Sequence, residues 1–65
     1  MEFSEKAKIR MQHWLTHNEG HLADYERFAD QLDSAGMEAS AGYIREMIAL
    51  AAKSNVCLRK ALNSL

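Results

Sequence analysis

The chain has 65 residues, with no proline, three glycines and a formal net charge of −1. A chain of this length forms one small domain, and its near-neutral charge excludes the basic surface typical of proteins that bind nucleic acid or anionic membranes. Because Ala, Leu, Met, Glu, Lys and Arg are frequent and helix breakers are scarce, the composition favours α-helix throughout.

A first helix is predicted over residues 4–34. Ser4 is a suitable N-cap, and apolar residues then recur in heptads. Position a holds Ser4, Met11, Asn18, Tyr25 and Leu32, position d holds Ala7, Trp14, His21 and Phe28, and the seam is flanked by Leu15, Leu22 and Ala29. The heptad phase continues through Gly20, so we expect one continuous helix, although glycine costs roughly 1 kcal/mol there. This phase directs Asn18 and His21 toward the core.

A turn is predicted at residues 35–37 and a second helix at residues 38–63. Gly36 can adopt the left-handed conformation that ends a helix. The apolar stripe of the second helix consists of Met37, Ala41, Ile44, Ile48, Ala51, Asn55, Leu58, Leu62 and Leu65, in which Asn55 is the polar member. The chain is therefore predicted to be all-α, a long antiparallel helical hairpin that forms one domain over residues 1–65.

Two helices alone cannot bury all the apolar side chains of this sequence. A second apolar edge of helix 2 consists of Tyr43, Met47, Leu50 and Ala61, and Trp14 is a candidate interface anchor on helix 1. Apolar surface of this kind on a small domain usually marks an interface. We therefore expect a homodimer in which two hairpins form a four-helix bundle. The alternative is a three-helix monomer with helix 1 broken near Gly20, and a different protein partner stays open.

Our expectations for localisation and catalytic activity rest on features that the sequence lacks. The longest apolar run, residues 47–52, is too short to cross a bilayer, and the first residues lack the layout of a secretory signal. The single cysteine, Cys57, has no internal disulfide partner, which fits a reducing compartment. Neither a glycine-rich phosphate loop nor a nucleophile–base pair is recognisable. We expect a cytoplasmic protein that is not an enzyme.

The polar residues within the apolar pattern allow two interpretations, of which the first is structural. An antiparallel hairpin that turns at Gly36 places Asn55 level with residues 14–18. Asn18, His21 and Asn55 can then form a buried hydrogen-bonded layer that fixes the register of the helices, as buried asparagines do in coiled coils. Under this interpretation the protein is a scaffold for protein interaction.

The second interpretation is a transition-metal site on helix 1. It is the functional interpretation that we favour, and it makes the protein a small metal-binding or metal-linked accessory module, with the scaffold as the alternative. His13, His17 and His21 follow each other at steps of four residues, which places them on one helix face. One ion cannot bind all of them, because His13 and His21 are about 12 Å apart along a straight helix. The candidate pairs are His13 with His17, and His17 with His21. Asp24 could supplement the second pair, and two imidazoles with a carboxylate suit nickel, zinc or cobalt better than calcium or magnesium.

The chain also resembles a known domain over nearly its whole length. The resemblance is carried by His13-Trp14-Leu15-x-His17-Asn18-x-x-His21, Tyr25-x-x-Phe28-Ala29, Ala35-Gly36-Met37, Ile44, Ala51, Asn55 and Ala61-Leu62. It is similar to a small helical domain of uncharacterised function that occurs alone or appended to CooT-type nickel-binding proteins of anaerobic bacteria and archaea. The resemblance implies that His13, Trp14, His17, Asn18, His21 and Asn55 are signature positions and that the context is nickel-linked. Gly20 departs from the acid expected there, and the nickel-binding part of CooT has no counterpart here.

Overall fold

The structure, a computed structural model, describes residues 2–65 and consists of two helices. Helix α1 spans Phe3–Ser34 and helix α2 spans Glu38–Asn63. The prediction of an all-α helical hairpin is confirmed, whereas its dimerisation stays a prediction. Met1, which belongs to the predicted domain, lies outside the described residues. Neither helix of residues 2–65 carries an apolar segment long enough to span a membrane.

The start of α1 differs from the prediction. The helix begins at Phe3, and Glu2 occupies the N-cap without a side-chain hydrogen bond to the helix. Ser4 therefore lies within the first turn and is not the capping residue. The acidic side chain of Glu5 also lies in the first turn, where it interacts favourably with the positive end of the helix dipole.

Helix α1 continues through Gly20 without interruption. The alternative of a three-helix chain with a break at this position is therefore wrong. A Cβ atom added at Gly20 would meet nothing within 4 Å beyond its chain neighbours and the backbone of its own helix, so the glycine is not required for close packing. The helical turns on either side of Gly20 keep this residue in the helical conformation.

The turn between the helices is closed by a Schellman motif, as the sequence predicts from Gly36. Gly36 has a φ of 79°, in the left-handed region. The N–H of Met37 donates to the carbonyl of Leu32 at 2.8 Å, and the N–H of Gly36 donates to that of Asp33 at 3.0 Å. This is the pair of bonds that satisfies the last carbonyls of a helix while the chain reverses. Met37 itself remains more than half exposed.

The seam between the helices is narrow. Within residues 2–65, the buried residues are Leu15, Ala29, Ala41 and Asn55. Half-buried residues continue the seam on α1 at Ala7, Met11, Asn18, Leu22, Tyr25 and Leu32. From Met11 onward, the residues of α1 that face α2 therefore occupy heptad position a and the flanking column that holds Leu15, Leu22 and Ala29.

Apart from Ala7, the predicted position d column lies outside this seam. Trp14 is 49% exposed, Phe28 is 52% exposed, and His21 is also exposed. The small side chains of Ala29 and Ala41, each 0% exposed, let the helices approach closely near the turn, and the separation of packed helices follows the size of the side chains between them. Trp14 and Phe28 lie beside this seam, whereas the ring of Tyr25 is half-buried within it. Because His21 is exposed, the prediction that it points into the core is wrong for the hairpin.

The hairpin is elongated, with extents of 52 × 15 × 10 Å, and one of its broad faces carries ion pairs between the helices. Arg45 contacts Asp33 at 2.6 Å and Asp30 at 3.1 Å, and Arg59 contacts Glu19 at 3.5 Å. The guanidinium of Arg45 donates hydrogen bonds to Asp33, which has the larger effect, and to Asp30. These hydrogen bonds raise the pKa of Arg45 above its ordinary value. We call the side of the hairpin that carries these five residues the paired face.

The opposite broad face is apolar. His21 of α1 and Ser54 of α2 line one depression together with Asn18, Tyr25 and Ala51, which places them on the same side of the hairpin. Trp14 and Phe28 lie one heptad before and after His21, whereas Leu50 and Ala61 lie four residues before and seven residues after Ser54. The apolar face is defined by Trp14, His17, His21 and Phe28 on α1 and by Tyr43, Met47, Leu50, Ser54 and Ala61 on α2.

Candidate functional site

The histidines form a contact on the apolar face, near the middle of α1. The Nε2 atoms of His17 and His21 lie 2.9 Å apart, and the two rings are edge to face with centroids 4.3 Å apart. The ring of His13 stacks on that of His17 at a centroid distance of 6.1 Å. The structure therefore brings nitrogen atoms together in the second of the two candidate pairs, His17 with His21.

The ring of His21 is supported on its other side by Tyr25. Their rings are nearly parallel, at an interplanar angle of 8° and a centroid distance of 5.8 Å. Tyr25 is half-buried in the seam, so its ring is held by packing against α2. Contacts on both sides, from His17 and from Tyr25, limit the rotamers that His21 can adopt.

The hairpin does not bring Asp24 to the histidines. The carboxylate of Asp24 pairs with the guanidinium of Arg27, one helical turn further along α1. Within residues 2–65, no group of three or more His, Cys, Asp or Glu side chains could hold a metal ion. The described residues therefore bring together two candidate ligands, His17 and His21, and not three.

The predicted polar layer is brought together only in part. Asn18, His21 and Asn55 line one depression, but Asn18 is half-buried and His21 is exposed. Asn55 is only 9% exposed, and its Nδ2 has no hydrogen-bond partner in the described part of the chain. A buried donor without a partner costs about 1–3 kcal/mol. The hairpin therefore contains a polar position at its seam, but not the hydrogen-bonded layer.

The residues predicted to form an interface share the apolar face. Tyr43 is 72% exposed and Leu50 is 67% exposed, and Trp14, Met47 and Ala61 are exposed as well. Cys57 is a free, exposed thiol on the same helix as Leu50. The hairpin therefore leaves these apolar side chains without a cover of its own.

The apolar pattern of the sequence does not identify one contact between the helices, that of Arg45. In the structure Arg45 joins the two helices through Asp30 and Asp33. The sequence contains a partial signal, because a turn at Gly36 brings the first turns of α2 alongside the acidic last turns of α1. These contacts distinguish the paired face from the apolar face.

Comparison with known proteins gives a family but no function. No curated protein and no solved structure matches the chain. A family described as "Domain of unknown function (DUF8180)" matches residues 7–65. The matched region includes all the histidines, Asn55 and every residue of the apolar face. The chain therefore belongs to the family of this small helical domain of unknown function, DUF8180.

Proposed function

We propose that the chain is a non-catalytic helical interaction module that associates with a second copy of itself through the apolar face. The observation that carries the proposal is the exposure of that face on a hairpin whose seam is narrow. Trp14 is 49% exposed, and Leu50 and Tyr43 are about two-thirds and three-quarters exposed. In a small domain, stability requires nearly all large apolar side chains to be buried against something.

The surface area of the hairpin supports a second copy as the cover. The chain exposes 5080 Å². A compact protein of 7.4 kDa is expected to expose about 4,200 Å². The excess of about 900 Å² is close to the roughly 800 Å² that each partner buries in an interface of standard size. An interface over the apolar face would therefore restore the surface of a compact protein.

The distribution of charge also favours the apolar face as the surface that a second copy covers. The ion pairs between helices formed by residues 2–65 all lie on the paired face, where Arg45 and Arg59 hold acidic residues of α1. These side chains are already paired within one chain. Burial of the apolar face therefore leaves the cross-helix ion pairs solvated and avoids the cost of desolvating them.

The unpartnered amide of Asn55 lies in the seam between the two faces. Asn55 lines the depression that contains His21 and Ser54 of the apolar face and a second one that contains Glu19 and Arg59 of the paired face. Its Nδ2 is buried within the hairpin, so its position bears on the register of the two helices and not on a contact with a second copy. Buried asparagines at such positions select the register in helical assemblies.

Transition-metal binding is a second candidate function, favoured by the contact of His17 with His21. Imidazole nitrogens are ligands for nickel, zinc and cobalt in preference to calcium or magnesium. The resemblance to the domain appended to CooT-type nickel-binding proteins makes nickel the first ion to test. Whether the ion is nickel or zinc, the two ligands of one chain leave its coordination incomplete.

Sedimentation equilibrium of the metal-free protein tests self-association. In the presence of a chelator at micromolar chain concentration, we expect a mass of about twice 7.4 kDa. The emission of Trp14 should shift to shorter wavelength as the chains associate, because its half-exposed ring becomes buried. A folded species with the mass of one chain at about 100 μM, a concentration at which even weak complexes form, would refute the proposal.

A further inference from the structure

The position of His17 and His21 within the fold bears on how a metal site could be completed. Helix α1 spans Phe3–Ser34, so its midpoint falls between residues 18 and 19. His17 and His21 lie on either side of this midpoint and on the apolar face. The pair therefore lies at the centre of the surface proposed to meet a second copy.

In a two-fold symmetric dimer, the residues at the centre of the interface lie close to the same residues of the other copy. In an isologous interface, groups near the symmetry axis meet their own counterparts, whereas groups far from it meet different residues. If the axis crosses α1 at its midpoint, α1 packs antiparallel against α1 of the second copy. That arrangement places His17 opposite His21 of the partner subunit, and the two pairs of imidazoles face each other.

We propose that the His17–His21 pairs of two copies together form one four-imidazole site for a divalent transition-metal ion. The proposal rests on the self-association proposed above, because the site is incomplete in one chain. Structural sites for such ions usually have four protein ligands. Residues 2–65 place no third His, Cys, Asp or Glu with the pair, so the remaining ligands come from outside the chain.

The geometry of the pair fits an ion of this class. Two imidazole nitrogens that each bind one ion at about 2.0–2.1 Å are about 2.9–3.4 Å apart, according to whether the bond angle is a right angle or tetrahedral. The Nε2 atoms of His17 and His21 are joined by a hydrogen bond of 2.9 Å, at the short end of this range. An ion would replace that hydrogen bond, and tetrahedral coordination would require the two nitrogens to separate by a few tenths of an ångström. Because His21 is held by Tyr25, the pair is pre-oriented and needs little rearrangement to bind.

His13 provides a matched control for the site. It is a histidine on the same helix, its ring stacks on His17, and it is exposed. It makes no nitrogen contact comparable with the 2.9 Å contact of His17 with His21. Substitution of His13 therefore removes an exposed imidazole next to the site while leaving the proposed ligands in place.

Calorimetric titration of the metal-free full chain with Ni²⁺ and with Zn²⁺ tests the site. We expect one ion to bind for every two chains. His17→Ala and His21→Ala should each weaken binding at least tenfold, whereas His13→Ala should leave affinity and stoichiometry unchanged. All three histidines are exposed, so these variants should retain the helical far-ultraviolet spectrum. One ion per chain, binding that His17→Ala and His21→Ala retain, or no binding below about 100 μM would overturn the proposal.

Sedimentation with and without the ion separates this inference from the proposed function. A dimer in chelator that binds half an equivalent of Ni²⁺ or Zn²⁺ supports both. A dimer in chelator that binds no ion overturns the metal site and leaves the self-association intact. A third outcome is that the chains are single in chelator and form dimers when half an equivalent of Ni²⁺ or Zn²⁺ is added. It would support the bridging site and refute association without metal.

Discussion

We expect Leu50→Glu to weaken the association of two chains at least a hundredfold. Leu50 is 67% exposed in the hairpin and lies on the apolar face, so a second copy would bury it. Full burial of a leucine contributes about 1.5–3 kcal/mol, and a two-fold interface contains the residue twice. A loss of about 3 kcal/mol already corresponds to about a hundredfold in the dissociation constant. Sedimentation equilibrium over a range of chain concentrations measures this constant.

Val56→Glu is the matched control. Val56 is also a large exposed apolar residue of α2, at 54% exposure, but it lines a depression together with Glu19 and Arg59 of the paired face. We expect this variant to associate with an affinity within a few-fold of the wild type. If Val56→Glu disrupts association as strongly as Leu50→Glu, or if Leu50→Glu has no effect, the apolar face is not the interface.

Asn55→Leu should increase the free energy of unfolding by about 1–3 kcal/mol. The substitution removes a buried amide whose Nδ2 has no partner within the described residues, and it replaces the amide with an apolar side chain of similar size. Chemical unfolding followed by circular dichroism measures the change. Wild type and variant must be compared at one chain concentration, because association contributes to the measured stability.

Asn18→Leu provides the comparison for this prediction. Asn18 faces the same depression but is only half-buried, so its amide reaches water and its removal should change stability less than that of Asn55. A decrease in stability on Asn55→Leu would contradict our account. It would show that the amide of Asn55 makes a hydrogen bond that one hairpin does not contain.

The hairpin itself could be predicted from the sequence because its signals are local. The absence of proline and the continuous heptad phase of α1 predict a helix that passes through Gly20. Gly36 predicts the turn, since a left-handed residue is required where the Schellman motif ends the helix. These signals depend on neighbouring residues within one or two helical turns, so a single sequence contains them.

The side of α1 that faces α2 could not be predicted in the same way. Three neighbouring columns of α1 carry apolar residues, represented by Met11, Trp14 and Leu15, and a helix has room for two of them in a seam with one partner. Which two are used depends on how the side chains of α2 pack against them. Leu15 and Ala29 are buried, whereas Trp14 and Phe28 are left about half exposed. Such packing is a property of both helices together.

In the candidate site too, the features set by local spacing could be predicted, whereas those set by packing between the helices could not. The spacing of His17 and His21 predicts a shared face, because residues four apart on a helix are neighbours. The spacing alone did not show that His21 would be exposed, nor that Asp24 would pair with Arg27. These outcomes depend on the packing of α2 and on competition between neighbouring charges.

The most direct test of self-association through the apolar face is an isotope-filtered nuclear Overhauser measurement on a mixture of labelled and unlabelled chains. It detects contacts between copies and excludes those within one chain. We expect contacts between chains at Leu50, Met47 and Trp14, and none at Val56. Contacts between chains confined to Val56 and the paired face, or their absence from a folded sample at millimolar concentration, where even weak complexes form, would contradict the account.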